Sequence, residues 1–297
     1  MRIRVLGSSA GGGLPQWNCG CGNCVRARAG DPAVPPRLQP SLAVSADGVR
    51  WSLLNASPDV REQLARFPGL HPRPGTRDLP LDTVLLTNAD LDHVLGLLVL
   101  RESLPYRIAS THWVRDTLLR HNAVFRLVEP AWAGFKLDEP IALDREGRLE
   151  ARLFPVPGKV PTHVGERAAN APEATVGARI TDGATGRRLV YVPGTRSLEG
   201  GVFAELEAAA VSFVDGTFFT PDELARSRPG APDAEAMGHV PVSGPRGSLA
   251  RLAALPGRRL LTHLNNTNPL VDEGSAERRW ARAAGVEIAH DGLELTL

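Results

Sequence analysis

The chain has 297 residues, with 34 lysines and arginines against 33 aspartates and glutamates and a formal net charge of +1. This balance excludes the basic surface typical of a nucleic-acid-binding protein, and we expect no nucleic-acid partner. The longest apolar stretch, around residues 94–100, is far shorter than the roughly 18 residues of a membrane span. The N-terminus also lacks the apolar core of a secretory signal, so we predict a cytoplasmic protein without membrane insertion.

Short apolar runs bounded by Gly, Pro, Asp and Asn recur along the chain. They predict strands at 2–6, 41–45, 50–55, 83–87, 152–156, 174–180, 188–192, 211–214, 259–262 and 286–289. Periodic apolar positions predict helices at 58–66, 111–120, 202–209, 247–255 and 274–283, the last capped by Ser275. Pro- and Gly-rich segments predict long loops at 68–80, 157–172 and 227–247. Strands that first follow one another and later alternate with helices predict an α/β or α+β sandwich.

All three cysteines fall in one six-residue window, at Cys19, Cys21 and Cys24. An odd number in one short loop cannot form a disulfide framework. Thiolates two and three residues apart, with glycines between them, can turn onto one ion, and Zn²⁺ takes four such ligands. We therefore predict a structural zinc loop at about 17–26, with a fourth ligand from elsewhere. A redox loop and unliganded thiols are the alternatives.

A second polar cluster directly follows the predicted strand 83–87. Asn88, Asp90, Asp92 and His93 fall within six residues there. Ligands commonly bind at such strand ends, so these four residues are candidate metal ligands. The alternative is an Asp- and Asn-rich turn that caps the following helix.

Three later segments carry similar signals, each weak alone. Asp215 ends an apolar run, His263 follows another, and His239 and Ser243 share a loop that leads into a helix. Because all three follow predicted buried strands, together they are stronger evidence for a functional site than each is alone. His163 lies in the 157–172 loop and is left out of the predicted ligand set. Glycines 11–13 lack the Gly-Lys-Ser/Thr ending of a phosphate-binding loop, so they predict a tight turn.

The segment Asn88-x-Asp90-x-Asp92-His93 resembles the H-x-H-x-D-H signature of the metallo-β-lactamase superfamily, with the first two ligands replaced. Residues 6–24 (L-G-S-S-A-G-G-G-L-P-Q-W-N-C-G-C-G-N-C) and 262–269 (T-H-L-N-N-T-N-P) closely resemble the PQQ synthesis protein B family, a branch of that superfamily. T-N-A-D-L-D-H, V-D-G-T and M-G-H-V-P-V-S-G-P add to the resemblance, which covers nearly the whole chain. Residues 101–187 match less clearly. The resemblance implies one domain over 1–297 with the four-layer αββα fold, a role in pyrroloquinoline quinone (PQQ) synthesis, and a cytoplasmic homodimer.

The altered signature predicts one metal ion in place of two. Asp92, His93 and His263 remain as two imidazoles and one carboxylate, the pattern of non-heme Fe(II) oxygenases. Asn88 and Asp90 offer oxygen ligands, which favour Fe, Mn or Mg over Zn. With the family resemblance, this predicts an iron oxygenase that hydroxylates the tyrosine ring of a Glu-Tyr-derived precursor, alongside other PQQ biosynthesis proteins.

The remaining candidate residues have two interpretations each. Asp215 and His239 resemble the acid–His proton-transfer pair of superfamily hydrolases, or form a structural hydrogen bond. Ser243 contacts substrate or, as the favoured interpretation, caps the next helix. Asn266 stands where one superfamily pattern has a zinc-binding His. It is a poor zinc ligand, so His, Asp or water from another part of the chain or from a dimer partner stays open as the fourth ligand.

Two other functions compete with the oxygenase. One is a hydrolase of the metallo-β-lactamase type, in which a metal-bound water attacks an ester or amide. The replacement of two signature histidines by Asn88 and Asp90 argues against it. The other is a non-catalytic carrier that transports PQQ or its precursor.

Overall fold

A computed structural model describes residues 1–102, 105–165 and 171–297. Within these ranges the β-strands are β1 Arg2–Gly7, β2 Ser41–Ser45, β3 Trp51–Leu54, β4 Leu81–Leu85, β5 Arg107–Thr111, β6 Trp132–Phe135, β7 Ile141–Ala142, β8 Leu149–Pro155, β9 Val176–Asp182, β10 Arg188–Val192, β11 Val211–Asp215, β12 Arg258–Thr262, β13 Val286–Ile288 and β14 Glu294–Thr296. The α-helices are α1 Gly22–Arg28, α2 Val60–Ala65, α3 Leu91–Val94, α4 Gly96–Val99, α5 His112–His121, α6 Gly201–Glu207, α7 Ser248–Ala253 and α8 Ala276–Ala283. Short 3₁₀ turns lie at Pro68–Leu70, Ala123–Leu127, Glu129–Ala131, Glu223–Arg226 and Pro269–Val271.

The strands form two seven-stranded mixed sheets, in the orders β14-β1-β2-β3-β4-β5-β6 and β13-β12-β11-β10-β9-β8-β7. In the first sheet β14 to β3 are antiparallel, and β3 to β6 run parallel. In the second, β7 to β10 are antiparallel, and β10 to β13 run parallel. Each sheet therefore has one parallel half, whose carboxyl strand ends gather at one edge.

Three apolar clusters separate the layers. The central one joins inward residues of both sheets, among them Ile3, Leu85 and Phe213. The other two cover the outer faces of the sheets with helical residues, such as Val114 of α5 and Leu252 of α7. Helices, sheet, sheet and helices thus stack in four layers, and the predicted αββα sandwich is confirmed.

Each predicted strand and each predicted helix overlaps an element of the described ranges. The cap of α8 is confirmed, because the Ser275 hydroxyl accepts from the Arg278 amide at 3.0 Å. The cysteine window was predicted as a loop, but Cys24 lies in helix α1 and is fully buried. Residues 166–170 of the predicted 157–172 loop lie outside the described residues. No helix of the described ranges is long and apolar enough to cross a membrane.

A buried carboxyl joins the segment after β11 to the segment after β12. Glu223 is 5% exposed, and its Oε2 accepts from the Phe219 amide at 2.6 Å. The Thr267 hydroxyl donates to its Oε1, also at 2.6 Å. Burial raises the pKa of Glu223 to about 7, although these hydrogen bonds oppose the shift. The folded protein therefore holds this proton more tightly than the unfolded chain does.

This proton makes stability depend on pH. The stabilising contribution of the protonated carboxyl is complete below about pH 4.5 and is lost as the pH rises through about 7. Because a glutamine amide mimics the protonated acid, Glu223→Gln should raise the free energy of unfolding at pH 8 by roughly 1–3 kcal/mol and change it little at pH 5. Urea unfolding of both proteins at the two pH values measures this. Parallel pH profiles would show that Glu223 titrates normally.

Candidate metal centre

The polar residues predicted from strand ends come together at one edge of the sandwich. Asn88 follows β4 and bridges to Thr175 before β9, while Asp215 ends β11 and His263 follows β12. Asn88, Thr175 and His263 border a cavity of about 400 Å³, and Asp215 lies buried behind its wall. Parallel strands of both sheets supply these residues, so the edge is a ligand-binding position of the kind expected for α/β sheets.

Three predicted ligands, Asp92, His93 and His263, form a compact group. Their ligand atoms lie within 4.8 Å of one another. Asp92 Oδ2 is 3.1 Å from His263 Nε2 and 3.9 Å from His93 Nε2. Two ligands of one ion at about 2.1 Å lie roughly 3.0–3.4 Å apart, so the first distance fits and the second is wider by about half an ångström. His93 Nε2 is buried without a hydrogen-bond partner in the described residues, as expected of a metal ligand.

Asn88 holds His93 in place. Its Oδ1 lies 2.6 Å from His93 Nδ1, and its Nδ2 donates to Asp90 Oδ2 at 2.8 Å. His93 Nδ1–H therefore donates to Asn88, which leaves the Nε2 lone pair free for an ion. The structure thus gives Asn88 a supporting position, whereas the sequence pattern predicted a ligand. Asp90 borders the cavity but lies outside the compact group, since its oxygen turns toward Asn88.

The alternative that this turn caps a helix is wrong. Asp90 precedes α3 at the N-cap position, but its side chain makes no capping hydrogen bond.

His263 is oriented by a threonine. Thr217 Oγ1 donates to Asp215 Oδ1 at 2.7 Å and lies 2.8 Å from His263 Nδ1. Because the single hydroxyl proton goes to Asp215, the threonine oxygen accepts from His263 Nδ1–H, and Nε2 faces Asp92. His263 also has a φ of +60°, a backbone conformation that costs a non-glycine residue about 1 kcal/mol or more. Such strain is common where a fold presents a functional side chain.

Asp215 and His239 form the predicted pair. His239 Nδ1 lies 2.8 Å from Asp215 Oδ2, which also accepts from the Thr195 amide at 2.9 Å. Asp215 is fully buried, and the rings of His239 and His263 stack with centroids 5.4 Å apart. His239 lines the cavity, so its Nε2 is the nitrogen available to a bound molecule. The carboxylate fixes this tautomer.

The charges in this group favour a cation. Burial would raise the pKa of Asp92, but the His93 and His263 rings hold that pKa well below its usual range. Burial lowers the pKa of His93 to about 4, although Asp92 opposes the shift. Burial would also raise the pKa of Asp215, but His239 holds it low. An ionised carboxylate beside a neutral imidazole, as at Asp92 and His93, is the protonation state in which these residues bind metals. Burial would lower the pKa of His263, but its hydrogen bond with Asp92 raises it, so a metal that binds there displaces a proton.

The predicted residue Ser243 lies away from this group, as does His163, which was left out of the predicted ligand set. The Ser243 hydroxyl donates to the Phe219 carbonyl at 2.6 Å, and Ser243 borders a separate cavity with Arg196 and Arg246. The favoured capping interpretation of Ser243 is wrong, because α7 begins after Gly247 without a side-chain cap. His163 Nε2 donates to the Ala89 carbonyl at 2.8 Å and supports the turn from outside.

The cysteines form a second compact group. The sulfurs of Cys19, Cys21 and Cys24 lie within 4.8 Å of one another. Asn266 Nδ2 is 3.0, 3.6 and 3.3 Å from them in that order, so Asn266 closes the open side of the group. An amide nitrogen is a donor, so Asn266 could bind an ion only through its oxygen. Burial, with the neighbouring sulfurs, raises the pKa of the Cys21 thiol to about 11, and a bound cation would relieve this.

Sequence reasoning missed three residues of the site. Thr217 lies in the quoted V-D-G-T segment, where its spacing from Asp215 was the available signal. Asn55 has a φ of +65° and accepts from the Thr87 amide at 2.9 Å, and only tertiary contact identifies it. Lys159 borders the cavity. The available signal was that lysine is rare in this sequence, which has only one other, Lys136.

Comparison with known proteins agrees with this geometry. The beta-lactamase superfamily domain matches residues 50–264. Coenzyme PQQ synthesis protein B of Methylobacterium radiotolerans is 46% identical over 305 residues, and that of Ruegeria pomeroyi is 46% identical over 303, each covering 100% of both chains. The crystal structure of Zn²⁺-bound PqqB from Methylobacterium extorquens has a TM-score of 0.92 and 41% identity, again over 100% of both chains. The chain therefore belongs to the coenzyme PQQ synthesis protein B family, within the beta-lactamase superfamily.

Proposed function

We propose that this protein acts in PQQ synthesis as a mononuclear iron oxygenase that hydroxylates the tyrosine ring of a Glu-Tyr-derived precursor. The observation that carries this is the group of Asp92, His93 and His263, which offers one carboxylate and two imidazoles beside an open cavity. This donor set is typical of non-heme Fe(II) oxygenases. The names of the relatives supply the pathway.

The overall reaction needs three reactants. One atom of dioxygen enters an aromatic C–H bond and the other leaves as water, with two electrons and two protons from a reductant that the reaction must be given. Iron bound at this site would supply the activation of dioxygen. The chain itself positions the ring and handles protons.

His239 and Asp215 have the proton-handling role. His239 Nε2 is open to the cavity while Nδ1 is held by Asp215, so the ring can accept the proton of a bound phenol. Thr217 contacts both His239 and His263, at 3.0 and 2.8 Å, and so couples the position of the base to that of the ligand. The Asp215–His239 contact would then be catalytic rather than only structural.

One observation favours a second candidate. The 41% identical PqqB is described with bound Zn²⁺, the metal that superfamily hydrolases use to activate water. A zinc-dependent hydrolase would need no dioxygen and no reductant. These requirements separate the two functions experimentally.

The chain would act as a cytoplasmic homodimer that receives its precursor from other PQQ biosynthesis proteins. Sedimentation of the purified protein at micromolar concentration measures the assembly. A monomer at that concentration would exclude the dimer.

The decisive experiment supplies each reactant separately. Protein loaded anaerobically with Fe(II) is given a reductant, isotopically labelled dioxygen and a peptide precursor with a Glu-Tyr cross-link. We expect product that carries one labelled oxygen atom, and none from metal-free or zinc-loaded protein. Equal turnover by metal-free protein would overturn the oxygenase, and peptide cleavage by the zinc form would establish the hydrolase.

His239→Asn tests the base in the same assay. The variant should lower kcat by roughly 10²–10⁴-fold and leave the iron content unchanged. His71→Asn is the matched control, because His71 is exposed and does not line the cavity. Full activity of His239→Asn would leave only the structural interpretation of the Asp215–His239 pair.

A further inference from the structure

Lys159 brings a positive charge to the wall of the same cavity. It follows Gly158 in the loop after β8, and both line the cavity together with His239. The side chain is half-buried. In a chain with 34 lysines and arginines, Lys159 is one of only two lysines, so its charge is a compact ammonium among guanidinium groups.

The neighbouring loop fixes the stem of this side chain. A Cβ placed on Gly238 would lie 3.2 Å from Lys159 Cγ and 3.3 Å from Cδ, so the stem passes closely over the glycine. Gly238 has a φ of +92°, which glycine adopts at no steric cost. Because His239 follows Gly238 directly, the lysine stem packs against the loop that carries the proposed base. The Thr175 hydroxyl donates to the Lys159 carbonyl at 3.3 Å and holds the backbone on the other side.

The ammonium has no counter-ion in the described part of the chain. No carboxylate oxygen of those residues lies within 4.0 Å of the ammonium nitrogen, the limit for an ion pair. Asp90, also in the cavity wall, interacts with Lys159 only beyond ion-pair distance, and its Oδ2 accepts from the Asn88 amide. A half-buried charge without a partner is unfavourable unless a ligand supplies one.

We propose that Lys159 binds a carboxylate of the substrate and thereby selects acidic phenolic compounds over neutral phenols. The carboxylate would lie over the loop at Gly238, and the ring between Lys159 and the Asp92–His93–His263 group. A cavity of about 400 Å³ has room for a ligand of this size. The phenolic part of the ligand rests on the proposed function, whereas the carboxylate part rests on Lys159 alone.

Binding to zinc-loaded protein tests this without oxygenation, because Zn²⁺ has no redox chemistry. Chromatography of the peptide after each titration checks that the zinc form has left it intact. The probes are glutamyl-tyrosine and glutaminyl-tyrosinamide, which differ only in two carboxylates replaced by carboxamides. Calorimetry with wild-type protein should show about tenfold or greater preference for the acid. Lys159→Met should remove this preference by weakening acid binding alone, and Lys159→Arg should keep most of it. Equal zinc content and equal Tm of the variants show that the fold and the metal group are intact.

Each outcome has one meaning. A preference for the acid that persists in Lys159→Met, or is missing from the wild type, would overturn the proposal. Absence of measurable acid binding to the wild type would do the same. If the Lys159 dependence holds but the iron form yields no hydroxylated product, the carboxylate site stands and only the oxygenase fails.

Discussion

His93→Ala is expected to weaken divalent metal binding in the cavity by at least about 100-fold. His93 Nε2 is buried, has no other partner in the described residues and faces the Asp92 carboxylate. Without the ring, only Asp92 and His263 remain of the compact group, and two ligands do not hold an ion against water. Equilibrium dialysis with Fe(II) under anaerobic conditions, or with Mn²⁺ in air, measures the loss.

A graded series makes this result specific. Asn88→Ala should weaken metal binding in the cavity by about 10–100-fold. The substitution removes the hydrogen bond that fixes the His93 tautomer, but His93 itself remains as a ligand. His121→Ala, at the end of α5, is the matched histidine control and should bind metal as the wild type does. The cysteine group should keep its zinc in all three variants. Undiminished metal binding by His93→Ala would place the ion elsewhere in the protein.

The ligands were predictable because they come soon after strands with a strong apolar pattern: His263 directly follows β12, and Asp92 and His93 follow the turn between β4 and α3. Buried runs such as Val211–Asp215 and Arg258–Thr262 indicate strands, and parallel strand ends meet at one edge. The strands β6, β7 and β14 were missed because they lie at sheet edges and have only two to four residues. The inner strand β5 was missed because its five residues include only two apolar ones, Ile108 and Ala109. So short a run gives no period to detect.

The supporting residues were harder to predict for a different reason. Asn55 contacts Thr87, Thr217 contacts His239 and the Lys159 stem passes over Gly238, and each of these partners is 22 or more residues distant in sequence. Such contacts depend on how the two sheets align, and no local pattern records that alignment. Ser243 shows the converse: its position before a helix suggested a cap, but α7 starts five residues later, so the hydroxyl turns to the Phe219 carbonyl.

The cysteine group and the cavity share one segment of chain. Asn266 contacts the sulfurs and lies three residues after His263. Asn23, between Cys21 and Cys24, donates to the carbonyls of Asn266 and Asn268 at 3.0 and 3.1 Å. The loop thus holds the backbone that carries a metal ligand in a strained conformation. We infer that an ion bound by the three thiolates would stabilise this segment and leave the chemistry to the cavity.

Cys21→Ser is therefore expected to lose the structural zinc and to lower Tm, while metal binding in the cavity is only partly weakened. If the bound zinc stabilises the fold by on the order of 3 kcal/mol, its loss lowers Tm by about 6–12 °C in a chain of this size. Zinc content and thermal unfolding measure both effects. Val25→Ala, at an exposed position of the same helix, is the control and should change neither. If wild-type protein keeps the same Tm after its zinc is removed, the three thiols need no ion. The protein core and the contacts of Asn23 and Asn266 would then hold the segment alone.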